Sequence, residues 1–146
     1  MIVDLKNKGI ADKKVLEAVK KVPRENFVPE EFKNLAYADQ ALPIVSSQSI
    51  SQPYTVAFML QNLNLKKKDK VLEIGSGSGW NSALISFITK SKVFTIESNK
   101  EVAEFAKSNL KKLKIKKVEI IISDGNKGYE KEKLYDKIII TAACSK

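Results

Sequence analysis

The chain has 146 residues, 43% of them hydrophobic and 29% charged, which suits one domain able to bury a core without disulfide staples. It contains no histidine and a single cysteine, Cys144, so histidine-based triads and dyads, histidine-ligated metals and cysteine-rich zinc sites are all excluded as intrachain chemistry. Its 26 cations, all lysine except Arg24, outnumber 17 acids, a balance that attracts nucleic acid non-specifically without defining a function.

The opening MIVDLKNKG has no long apolar stretch behind it, and no segment approaches the ~18–20 apolar residues of a membrane span. A cytoplasmic protein is expected. Residues 12–22 repeat apolar side chains at helical spacing, with Asp12 as cap and Pro23 as the stop. A second short helix is expected over residues 29–37, then an irregular polar loop over 43–52. Pro53 sits well as the first residue of a third helix, PYTVAFMLQNL. Residues 1–65 therefore read as a helical segment carrying one loop.

From Lys70 the pattern changes to alternation: VLEIG, WNSALISFITK, KVFTIE, a helix from about residue 100 to 113 capped by Asn99, then KVEIIIS and YDKIIIT. Such alternation argues a doubly wound parallel sheet of four strands, whose continuous apolar runs suit burial on both faces. Residues 66–146 form this α/β core, and 1–146 read as a single domain. The lysine runs at 66–70 and 111–117 fall at boundaries between elements, where solvated charge is ordinary. With no imidazole to deprotonate it, Cys144 is expected to pack as a small core residue. The sequence stops directly after the fourth strand, so an open apolar edge is expected. A fragment, completion by another chain, or a dimer meeting edge to edge would each account for it.

Ligands of such sheets collect beyond the carboxyl ends of the strands, and Gly75, Glu97, Asp124 and Thr141 all fall there. VLEIGSGSGW places Gly75, Gly77 and Gly79 at alternate positions between strand and helix. A dinucleotide fingerprint fails in both frames, ending on Ser78 or Ser82. The loop reads instead as that of an S-adenosylmethionine methyltransferase, with no metal required. Glu97, followed by Ser98, stands where an acid can accept from ribose hydroxyls. Glu73 could pair with the cofactor ammonium or simply be a strand-end carboxylate in water. Asp124 and Gly125 suit an acid and a tight turn near the adenine, while Trp80 could stack on the cofactor or pack in the core. Transfer of a methyl from sulfonium needs alignment more than acid–base catalysis.

VPRENFVPEEF at 22–32, LAYADQALPI at 35–44, SQSISQPY at 47–54, VLEIGSGSGWNSAL at 71–84, SDG at 123–125 and YDKIIITAA at 135–143 together closely resemble the protein-L-isoaspartate O-methyltransferase family. The resemblance implies a Rossmann-like class I methyltransferase fold and methylation of the free α-carboxylate of L-isoaspartyl residues, with isoaspartyl proteins and peptides as substrates. It also implies that Ser51 is the active-site serine, here orienting the substrate carboxylate, and that Ser49 and Ile50 close over the cofactor. Taken alone, Ser51 reads as a helix cap. Where the family usually has proline, a hydrophobic residue, glycine, any residue, glycine and glutamine, this chain has Pro43, Ile44, Val45, Ser46, Ser47 and Gln48. If that loop needs positive backbone angles, Val45 is the more troubling replacement. Family members also continue for several more strands and helices. Two alternatives stand beside this reading. One is a nucleic-acid methyltransferase of the same fold, weakened because Thr141, Ala142 and Ala143 stand where base-amine enzymes place a Pro-Pro-Tyr motif. The other is an inactive S-adenosylmethionine-binding fragment.

Overall fold

The computed structural model describes residues 1–132 and 134–142; Ala143 and Cys144 lie outside the described residues. The core is a four-stranded parallel sheet of β3 (Val71–Ile74), β4 (Val93–Glu97), β5 (Val118–Ile122) and β6 (Lys137–Ile140), in the order β5-β4-β3-β6. Val71 is in register with Val93 on one side and Lys137 on the other, so β3 is flanked on both edges. The strand order reverses at β3, which opens a crevice at its carboxyl end.

Helices α4 (Trp80–Thr89) and α5 (Lys100–Lys112) follow β3 and β4. Asn99 caps α5 as its sequence suggests, its side chain accepting from the amides of Glu101 and Val102 at 2.9 and 3.2 Å. In the N-terminal segment, α2 (Lys13–Lys21) is capped by Asp12, and α3 (Pro53–Leu63) begins on Pro53. Both helices pack together, and α2 lies against α4, so one cluster joins the N-terminal segment to the sheet through Val15, Val19, Leu60, Val71 and Leu84. Among the described residues, no helix is long and apolar enough to cross a membrane.

The structure departs from the sequence reading in four places. A first helix, α1 (Ile2–Asn7), precedes the expected ones; it is too short for periodicity to reveal and is fixed by burial of Leu5. The element expected at 29–37 is a 3-10 turn over Glu30–Leu35, with no buried side chain to lengthen it. The polar loop at 43–52 contains two short antiparallel strands, β1 (Leu42–Pro43) and β2 (Ser49–Ile50), with Leu42 opposite Ile50. Finally, only β3 and β4 are buried on both faces. β5 and β6 are the edges of the described sheet, and Ile122, Ile138 and Ile140 are exposed there.

Candidate active site

The crevice of about 650 Å³ lies beyond β3 and β4 and is bordered by the β1–β2 hairpin and the first turn of α3. Its size is that of a small-molecule site. The glycine loop forms its floor, and the three glycines do different things. The Gly75 amide donates to the Ile96 carbonyl at 2.8 Å, and a Cβ here would lie 2.9 Å from the Ala142 Cβ. Only glycine lets the end of β6 approach so closely. Gly77 has φ +48° and nothing within 4 Å of where a Cβ would stand, so its backbone faces the crevice. Gly79 is turned away, its missing Cβ directed at Ala106 and Leu110 of α5, and it does not line the crevice.

Glu97 meets this loop from the end of β4. Its Oε2 accepts from the Gly77 amide at 3.3 Å and the Ser76 hydroxyl at 3.4 Å, while its Oε1 accepts from the Asn99 amide at 3.1 Å. Glycine backbone and acid, predicted from two separate strand ends, therefore touch. The crevice beside them is open, and Ser98 lines it as well.

Glu73 is fully buried, which overturns its reading as a strand-end carboxylate in water. It accepts from the Ser82 hydroxyl and from Asn81 Nδ2, the latter at 2.7 Å. The Thr95 hydroxyl, opposite it across β3–β4, is buried outside hydrogen-bond geometry. Burial pushes the Glu73 carboxyl up to about 6, against the opposing pull of its hydrogen bonds. Because Asn81 gives its Nδ2 to Glu73, its Oδ1 is left buried without a donor, on a side chain that lines the crevice. A ligand ammonium would supply the missing donor. Neither Asn81 nor Ser82 stands out in the sequence, since both read only as polar positions in an apolar helix.

Ser49, Ile50 and Ser51 all line the crevice. Ser51 does not cap α3: the cap position is Gln52, without a side-chain bond, and the Tyr54 amide donates to Asp39 Oδ1 at 2.8 Å instead. Asp39 lies within the family-like LAYADQALPI segment, yet nothing local marks it as a cap fifteen residues away. The concern over Val45 is also corrected. The left-handed residues are Ser46 and Ser47, both at φ 55°, whereas the Val45 side chain packs on the core. The Ser46 hydroxyl donates to Glu101 at the start of α5, tying the turn down.

Asp124 and Gly125 are not brought into the crevice lining. The Asp124 carboxylate is exposed and caps its own turn, accepting from the Asn126 amide at 3.0 Å, and Gly125 stands against Ile74. Trp80 is a core residue, 1% exposed, and its indole Nε1 donates to the Val22 carbonyl at 3.1 Å. Among the described residues no three acids or cysteines come together as a metal site.

A Rossmann-like sheet with an open glycine loop after its first parallel strand and an acid ending the next defines a class I methyltransferase domain. The sequence pattern of the family described as protein-L-isoaspartate(D-aspartate) O-methyltransferase matches residues 1–146, and the chain belongs to that family. It is 50% identical over 139 residues to the protein-L-isoaspartate O-methyltransferase of Dictyoglomus turgidum, covering 95% of this chain and 63% of that one. To protein-L-isoaspartate O-methyltransferase 2 of Archaeoglobus fulgidus it is 51% identical over 133 residues, covering 90% and 61%. The chain thus spans about three-fifths of the length of these curated relatives. Among solved structures, one protein-L-isoaspartate O-methyltransferase superposes with a TM-score of 0.87 at 31% identity, over 96% of this chain and 46% of that one. A putative protein-L-isoaspartate O-methyltransferase from Plasmodium falciparum, in complex with S-adenosyl-L-homocysteine, gives 0.85 at 28% identity, over 99% and 73%.

Proposed function

We propose that this chain carries the cofactor-binding and carboxylate-facing part of an S-adenosylmethionine-dependent methyltransferase that esterifies the free α-carboxylate of L-isoaspartyl residues in damaged proteins. The observation that carries this reading is the open crevice in which Gly77 and Glu97 touch and over which the Ser49–Ile50 strand and Ser51 stand. The bound cofactor supplies an electrophilic methyl group on a sulfonium.

The residues fit such a ligand. Glu97 offers carboxylate oxygens to ribose hydroxyls, and Asn81 Oδ1, backed by buried Glu73, offers an unpaired acceptor to the amino group. The Gly77 backbone leaves room for the amino-acid end, and the N-terminus of α4 favours its carboxylate. Ser51 orients the substrate carboxylate by hydrogen bonding. No general base is required, because that carboxylate is already ionised at neutral pH and attacks with an oxygen lone pair. The absence of histidine is consistent with this chemistry. As anion and sulfonium cancel, fixed dipoles in place of water favour the reaction. Methoxide leaves the resulting ester far more readily than oxide would leave a carboxylate, so the neighbouring backbone amide nitrogen can attack the ester carbonyl, release methanol and close a succinimide, which water reopens in part to normal aspartate.

Among the described residues no lysine or arginine lines the crevice, which favours a peptide carboxylate over a polyanionic nucleic acid at this site. Within this proposal residues 1–146 act as one domain, 1–65 supplying the loop and 66–146 the cofactor platform. A cytoplasmic setting suits it. The exposed apolar residues of β6 suit a completing segment, another chain or a second copy at that edge. The test is transfer of labelled methyl from S-adenosylmethionine to an isoaspartyl peptide and its aspartyl twin. A base-labile ester confined to the isoaspartyl peptide is expected; equal labelling of both, or none, contradicts the proposal.

A further inference from the structure

Arg24 is the only arginine in the chain and is completely buried. Taking a guanidinium out of water is costly, so its partners should explain its presence. Two of them, Ser51 and Trp80, line the crevice. Nη1 donates to the Ala36 carbonyl at 2.6 Å, while Nη2 donates to the carbonyls of Gln40 and Ser51, each at 3.0 Å. The guanidinium carbon lies 5.5 Å from the centre of the Trp80 ring, the residue that opens α4 directly after the glycine loop. Burial pulls Arg24 down to about 10, with the Asp39 carboxylate opposing, so the group remains a cation at neutral pH. Asp39 itself receives the Tyr54 amide. The segment 51–54 is thus held at its first residue by Arg24 and at its last by Asp39.

We infer that Arg24 is a positioning residue for methyl transfer: acting through the Ser51 carbonyl and the Trp80 ring, it fixes the carboxylate-orienting segment 51–54 relative to the glycine loop. This rests on the function proposed above. A planar fork spreads its donors over separate nitrogens that can serve three diverging carbonyls while the plane faces an aromatic ring, whereas an ammonium sends its three N–H donors from one compact atom. The Arg24→Lys variant therefore keeps the charge and loses the geometry.

The experiment compares wild-type chain and Arg24→Lys by amide hydrogen exchange, calorimetry with S-adenosylhomocysteine, and methyl-transfer kinetics on an isoaspartyl peptide. Exchange at residues 51–54, read at the Tyr54 amide that donates to Asp39, should rise by about tenfold or more while the sheet amides hold, and cofactor affinity should stay within about threefold. In the same variant kcat should fall by about tenfold to a hundredfold with little change in KM for S-adenosylmethionine, the signature of a misplaced group. Unchanged exchange at 51–54, or a rise spread evenly over the chain, overturns the inference. If the wild type transfers no methyl group, the functional proposal fails and takes the catalytic part of this inference with it, and the exchange result then decides only whether Arg24 fixes segment 51–54. If Arg24→Lys does not fold, Arg24→Ala refolded with ethylguanidinium replaces it. Recovery of local protection at 51–54 supports the inference, and absence of rescue assigns Arg24 to stability alone and overturns it.

Discussion

The buried carboxyl of Glu73 leads to a test by pH. Its ordinary value of 4.5 rises to about 6 in the fold because burial disfavours the charged form. The folded protein therefore binds a proton more tightly than the unfolded chain does. The associated stability is fully present below pH 4.5 and is lost as pH rises through about 6. The rise corresponds to about 2 kcal/mol lost by pH 7.5. In Glu73→Gln that loss disappears, because the amide carries no charge. Its oxygen can accept from Asn81 or Ser82, and its NH2 can donate toward the unpartnered Thr95 hydroxyl. Urea unfolding of both proteins at pH 5 and pH 7.5 isolates the effect, since other carboxylates contribute equally to each. The variant should gain about 1 kcal/mol on the wild type between the two pH values, since part of the loss has already occurred by pH 5, or about 2–5 °C in melting temperature. Parallel pH profiles would refute the claim that Glu73 is a buried acid held against its charge.

Gly77→Ala places a methyl group in open space, so the fold should survive a left-handed penalty of about 1–2 kcal/mol. S-adenosylhomocysteine affinity should nevertheless drop by about tenfold or more, read by calorimetry. Gly75→Ala meets the Ala142 Cβ at 2.9 Å and its backbone nitrogen at 3.1 Å, and should cost about 1–3 kcal/mol of overpacking beyond the left-handed strain, read by urea unfolding. Ser47→Gly should relieve its φ of 55° and stabilise by up to about 1 kcal/mol, whereas Val45→Gly should destabilise by about 1 kcal/mol through lost packing. Thermal melts that rank the last two variants in the opposite order would contradict the account of this turn.

The cofactor platform was legible because its signals are local. Apolar runs ending in Gly75 and Glu97 name two strand ends, and parallel pairing of β3 with β4 then brings them together whatever the rest of the chain does. The caps at Asp12 and Asn99, and Pro53 at a helix start, are likewise readable within a few residues. What escaped the sequence is long-range. Asp39 serves an amide fifteen residues on, and Arg24 reaches carbonyls twelve to twenty-seven residues away, so no window of sequence contains donor and acceptor together. Gly79 could not be told from Gly77, because only packing against α5 shows which of them faces the crevice. The burial of Glu73 depended on two small side chains of α4 that carry no motif. Asp-Gly after β5 suggested an acid and a tight turn near the adenine; the turn is there, capped by Asp124, but both residues lie outside the crevice lining.

The contact between the Gly77 backbone and Glu97 is tested most directly by calorimetric titration of S-adenosylhomocysteine into the wild-type chain and Glu97→Ala. One site is expected in the wild type. In the variant affinity should fall by about tenfold to a hundredfold, from the ~1.5–3 kcal/mol of a hydrogen bond to a charged group, with the far-UV spectrum unchanged. No heat from the wild type, or equal affinity in both proteins, would contradict a nucleoside held between these two strand ends.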